Sequence, residues 1–146
     1  MGKRTTTLGL AALAAAAALA GCGSSGPSKA DFAKKADALC VATNKANPPR
    51  PETAQNITNE IAVRTQLDRK LKALKVPDSE KALFASYNAD TQRIIAALRT
   101  IGADLAANNK KKAAADSQPF STASLAREQF AIKLGFKTCG RRHPVQ

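Results

Sequence analysis

The chain has no Trp, one Tyr, one His and one Met, and aromatic residues are only 4 % of its 146 residues. With so few rings, a core has to be assembled from Ala, Leu, Ile and five Phe, and a large enzyme-like pocket is not expected. The one imidazole, His143, follows Arg141 and Arg142 and precedes Pro144, which reads as an exposed tail. It has no partner for general acid–base work. Acidic residues are scattered along the chain, and no two fall together in a segment that reads as a cleft. The Ser-rich stretches at Ser24-Ser25 and 121–124 lack a G-x-S-x-G context. There is no C-x-x-C and no Cys/His set for a metal. The sequence therefore predicts a non-enzymatic protein with no catalytic residue, no metal and no cofactor. An alternating apolar pattern is absent too, so no strand is expected.

What is present begins at the N-terminus. Lys3 and Arg4 precede Thr5, Thr6 and Thr7, and an apolar run then fills residues 8–20 with Gly9 as its one small interruption. As a helix this run reaches about 20 Å, short of the roughly 30 Å of bilayer hydrocarbon. It reads as an export signal over residues 1–21 rather than a permanent span. The run ends in Leu19-Ala20-Gly21-Cys22. These four residues resemble the lipobox of bacterial lipoprotein precursors at every position. The resemblance implies that the Cys22 thiol takes a diacylglyceryl group as a thioether. It also implies that signal peptidase II cuts before Cys22, leaving the new amine open to further acylation. Two or more acyl chains anchor a protein stably where one is marginal. Residues 22–27 would be a short lipidated tether, placing a domain at 28–146 on the extracytoplasmic face of the cell membrane. Cleavage takes Lys3 and Arg4 off the formal charge of +12, so the mature protein stays strongly cationic.

Lipidation of Cys22 leaves Cys40 and Cys139 as a pair in an exported chain, and such a pair reads as a disulfide. It would tie the first helix to the C-terminal segment. Helical signals fill the region between. Ser28 is a candidate N-cap, and Phe32, Ala36, Leu39, Cys40 and Thr43 follow at helical spacing until Asn47-Pro48-Pro49 stops the helix. A second helix is expected at about 52–75, with Ile57, Ile61, Leu67, Leu71 and Leu74 on one stripe that Arg64 interrupts. After Val76-Pro77, Asp78 is a plausible N-cap for a long third helix at about 79–107. Its stripe runs through Leu83 or Phe84, then Tyr87, Thr91, Ile94, Leu98, Ile101 and Leu105. Asn108-Asn109 marks a turn. Pro119 is expected to divide the last segment into a short helix ending near Ser117 and a second at about 121–134, closed by Gly135 with Phe136 packing back. The pattern predicts an all-α, up-down four-helix bundle. Lipobox, tether, Cys40, Leu134-Gly135-Phe136 and Cys139-Gly140 together resemble small actinobacterial lipoproteins with helical mature domains, a group that brings no established activity.

Positive charge is the remaining feature. Arg69, Lys70, Lys72 and Lys75 close the second segment, Lys110, Lys111 and Lys112 open the last one, and Lys133, Lys137, Arg141 and Arg142 lie near the C-terminus. In an antiparallel bundle the first and third groups share a pole. That pole is expected to face anionic lipid or an acidic envelope polymer, against the plainer reading that the cations cap helix C-termini. An alternative is an adaptor for a protein partner or a carrier for a small apolar or anionic ligand in an interhelical groove, with Arg64 and Thr91 as the positions to inspect. Nucleic acid is not expected, because no stacking aromatics accompany the basic clusters.

Overall fold

Helix boundaries follow the local chemistry closely. A computed structural model describes residues 26–140, so the expectations at Lys3, Arg4, Cys22, Arg141, Arg142, His143 and residues 8–20 lie outside the described residues. Helix α1, Lys29–Ala46, starts at an extended Ser28 whose Oγ accepts from the Asp31 N–H at 3.1 Å, and it ends at Asn47 before the prolines. Helix α2, Ala54–Lys72, is capped by the Thr53 hydroxyl and stops short of Val76-Pro77.

Two expected boundaries are corrected. Asp78 does not cap the third helix: it opens a 3-10 turn, Asp78–Glu80, and its exposed carboxylate pairs with Lys81 at 2.7 Å. Helix α3, Lys81–Ala106, continues directly from that turn with no side-chain cap. Pro119 also breaks nothing. After Asn108, in the left-handed region at φ 58°, helix α4 spans Lys110–Ala115, and the interruption falls at Asp116. Helix α5, Ser117–Lys133, carries Pro119 as its third residue. A proline in the first turn lacks only an N–H that would have no intrahelical partner there. The C-terminus of α5 is as expected. Gly135 takes φ +81°, its N–H donates to the Ile132 carbonyl, and Phe136 N–H donates to Ala131 at 2.9 Å, which is the two-bond closure of a Schellman motif.

All elements are helical, and no strand occurs among the described residues. The long helices α1, α2, α3 and α5 form the up-down bundle, with α4 a spacer of six residues. Helix α3 lies between α2 and α5. The core has two parts. One, mainly aliphatic, joins the start of α2 (Ile57, Ile61), the second half of α3 (Ile94, Leu98, Leu105) and the start of α5 (Phe120, Ala123). The other joins α1 to the end of α2 (Leu71), the start of α3 (Phe84, Tyr87) and the segment after α5 (Leu134, Phe136, Cys139). Successive long helices therefore run in opposite directions. At the second pole four rings close on one another: Phe32–Phe84 at 5.2 Å, Phe32–Phe136 at 5.6 Å, Tyr87–Phe136 at 5.5 Å and Phe84–Tyr87 at 6.1 Å. Four of the six aromatic residues are spent there. The Cys40–Cys139 disulfide sits beside them, with 5.3 Å between the Cα atoms.

Candidate functional site

Because the ends of α2 and α5 share the aromatic pole, the structure brings Arg69, Lys70, Lys72 and Lys75 to the same end as Lys133 and Lys137. These cations are not equivalent. Lys72 Nζ is held by Asp68 at 2.6 Å, and Lys133 Nζ stands 5.8 Å from the Phe130 ring, whereas Arg69 and Lys70 are exposed. Lys137 is exposed at its side chain while its backbone N–H is used by Asp37. The group at Lys110, Lys111 and Lys112 opens α4 at the opposite end, so it does not join this patch. There Lys112 spans Asp104 at 2.9 Å and Asp116 at 3.1 Å. Hydrogen bonds to those two carboxylates raise its pKa, and the same contact lowers that of Asp116.

Arg64 and Thr91 are satisfied locally. Arg64 Nε donates to Glu60 at 2.7 Å, and its guanidinium lies 5.9 Å from the Phe120 ring. The Thr91 hydroxyl donates to the Tyr87 carbonyl one turn back, at 3.0 Å. Neither lines the α2–α3 cleft or the α3–α5 cleft among the described residues. One cleft, about 400 Å³, lies between α2 and α3 around Thr58, Ile61 and Gly102. The larger, about 680 Å³, runs between α3 and α5 over a floor of Ala96, Ala97, Ala123 and Ala126. Asp90 and Asp116 sit on its walls, the buried Asp90 carboxylate being paired with Arg93 at 2.8 Å.

The structure also exposes residues that sequence reasoning passed over. Asp37 is the first. Its carboxylate accepts from the backbone N–H of Lys137 and Thr138 at 2.8 Å and of Cys139 at 3.0 Å, clamping the segment that the disulfide also holds. Among the described residues four acids are buried as well, and each stands by a cation: Asp68 by Lys72, Asp90 by Arg93, Asp104 by Lys112, and Glu80 by Lys29 at 3.2 Å. Unpaired acids would be costly at such sites, since desolvation penalises the ionised form.

Arg127 is the converse case. Its guanidinium lies 5.7 Å from the Tyr87 ring, a cation–π distance, yet its buried Nε has no hydrogen-bond partner. Burial pulls its pKa down, with the Arg64 charge acting in the same direction and Tyr87, Asp90 and Glu128 against it. Burial likewise pushes the Tyr87 phenol up, opposed by Arg127 and Arg64. A signal for Arg127 existed in the sequence: it interrupts the small, buried positions Ala123 and Ala131 at four-residue spacing, as Arg64 interrupts its own stripe.

No cluster of three metal-ligating side chains occurs among the described residues, and no described helix is long and apolar enough to cross a membrane. The fold and surface define a small, basic, disulfide-tied helical bundle. No protein-family model, curated protein or solved structure matches the chain.

Proposed function

We propose that this protein is a lipid-anchored lipoprotein on the extracytoplasmic face of the cell membrane, with a non-enzymatic binding or scaffolding role at the envelope. The observation that carries the reading is the apolar run at residues 8–20 ending in Leu19-Ala20-Gly21-Cys22 behind Lys3 and Arg4. The cysteine arithmetic supports it: Cys40 and Cys139 bond to each other and leave Cys22 for lipid. The disulfide fits an oxidising compartment. The shared pole of Arg69, Lys70, Lys75 and Lys137 supports contact with anionic lipid or an acidic polymer, each cation near such a surface adding about 1 kcal/mol.

The test is metabolic labelling with a fatty acid. The wild-type chain is expected to incorporate label and to partition with membranes. Cys22→Ser is expected to lose both label and signal-peptide cleavage. Retention of label, or unchanged signal-peptide cleavage, in the Ser variant would overturn the anchor. A second reading, a carrier for a small ligand, is favoured by the α3–α5 cleft, whose volume of about 680 Å³ lies in the range of small-molecule sites.

A further inference from the structure

Arg127 inverts the charge arrangement found elsewhere in the bundle. Each of the buried acids Asp68, Glu80, Asp90 and Asp104 has a cation beside it. Arg127 is a cation set into the packed side of α5, and among the described residues no carboxylate forms an ion pair with it. Its Nε is removed from solvent without a partner, while the residue as a whole keeps some exposure. Arg64, Asp90 and Glu128 are within electrostatic reach. Arg64 brings more positive charge with its own fork occupied by Glu60, and Asp90 is paired with Arg93, while neither Asp90 nor Glu128 forms an ion pair with Arg127. The Tyr87 ring offers a π face and not an acceptor in the plane of the guanidinium. Gly140 closes the inner side: a side chain there would stand 3.8 Å from Nε, 3.1 Å from the Tyr87 ring and 3.0 Å from Ala131. If this position only filled space between Ala123 and Ala131, an apolar side chain would do so without a desolvated charge.

We propose that Arg127, with Tyr87 beneath it, is the centre of an oxyanion-binding site that takes a carboxylate or phosphate group. The planar guanidinium matches two oxygens at once, which a halide or an isolated point charge does not. The site belongs to the folded bundle, so it does not depend on whether Cys22 carries lipid. The oxyanion has two possible origins, a free anion or the headgroup of a phospholipid, and the experiment separates them.

The measurement is the NMR Nε–Hε signal of Arg127 in the full chain carrying Cys22→Ser, held in zwitterionic bicelles. Inorganic phosphate is expected to move that signal saturably at concentrations about tenfold below those at which chloride has any effect. In a second arm, free of phosphate, part of the lipid is replaced by phosphatidylglycerol. A shift there identifies a headgroup as the source, and a shift in the first arm alone identifies a free anion; either supports the site. Thermal stabilisation by phosphate, read by circular dichroism, is expected to vanish in Arg127→Met and to need about tenfold more phosphate in Arg127→Lys, which keeps charge but loses the fork. The proposal is overturned if phosphate and chloride act alike at Arg127 with no response to anionic lipid. It is equally overturned if Arg127→Met is stabilised by phosphate as the wild type is. Should the Met variant not fold, the wild-type signal and the Lys variant still decide the matter.

Discussion

Single residues in this bundle are placed so that charge and burial answer each other. Lys112 satisfies Asp104, whose second oxygen is buried without a partner, and at the same time Asp116 at the α4–α5 junction. Its pKa is raised by those bonds, and that of Tyr87 is raised by burial. Both shifts have the same consequence in alkali. The folded state keeps each proton above the ordinary values of 10.0 for Tyr87 and 10.5 for Lys112, while the unfolded chain releases it there. The stabilisation is therefore complete below pH 10.0 and is lost as the pH rises through the folded values. Urea unfolding followed between pH 8 and 11.5 is expected to show stability falling from about pH 10, and Tyr87→Phe, which has no proton to lose, is expected to flatten part of that fall. On the acid side the sign reverses. Asp116 and Asp78 are lowered by Lys112 and Lys81, so their contribution is present above 3.8 and lost as the pH falls below it.

At the scale of the helix, the ends are where conformation is demanded by a single residue. Gly135 and Gly140 both hold positive φ, +81° and +76°, yet their surroundings differ. A Cβ at Gly135 would meet Ala33 at 3.8 Å, ordinary contact, so Gly135→Ala bears only the left-handed penalty of about 1–2 kcal/mol. At Gly140 the same atom would press on Ala131 and Tyr87 at 3.0 and 3.1 Å. Gly140→Ala is therefore expected to cost more, about 2–4 kcal/mol once crowding is added, and thermal denaturation of the two variants side by side checks the order. Much at this scale was legible in advance. Ser28, Asn47, Asn108-Asn109 and Gly135 were readable because caps and turns act through nearest neighbours. Asp78 and Pro119 were not: which of several adjacent residues begins a helix depends on how the incoming chain is aimed, and Pro77 and Asp116 set that here.

For the molecule as a whole, the C-terminal segment is fixed twice, by the disulfide and by the Asp37 carboxylate across about 100 residues of chain. The loop-entropy model assigns a bridge of this span about 4.7 kcal/mol. Cys40→Ser with Cys139→Ser is expected to lower stability by about 2–5 kcal/mol, and Asp37→Ala by about 1–3 kcal/mol through three unsatisfied N–H groups. The double perturbation is expected to cost less than the sum, because once the segment is released neither tie has anything to hold. A double-mutant cycle by urea denaturation measures that coupling, and strict additivity would mean that the two ties act on separate structures.

The sequence by itself determined the helices, the faces they bury and the pairing of Cys40 with Cys139, since periodicity, capping chemistry and cysteine count are local or arithmetical properties. It also marked Arg64 and Thr91 as polar interruptions of apolar stripes. Only the tertiary structure decided what those interruptions meet: Glu60 for the first and the Tyr87 carbonyl for the second. It alone matched Asp68, Glu80 and Asp104 to their lysines, brought Asp37 to a segment far along the chain, and left Arg127 over a ring with no ion pair to a carboxylate among the described residues. The physical reason is that the cost of a buried charge depends on its neighbours in space, and those neighbours are fixed by how α3 and α5 pack rather than by spacing along either helix.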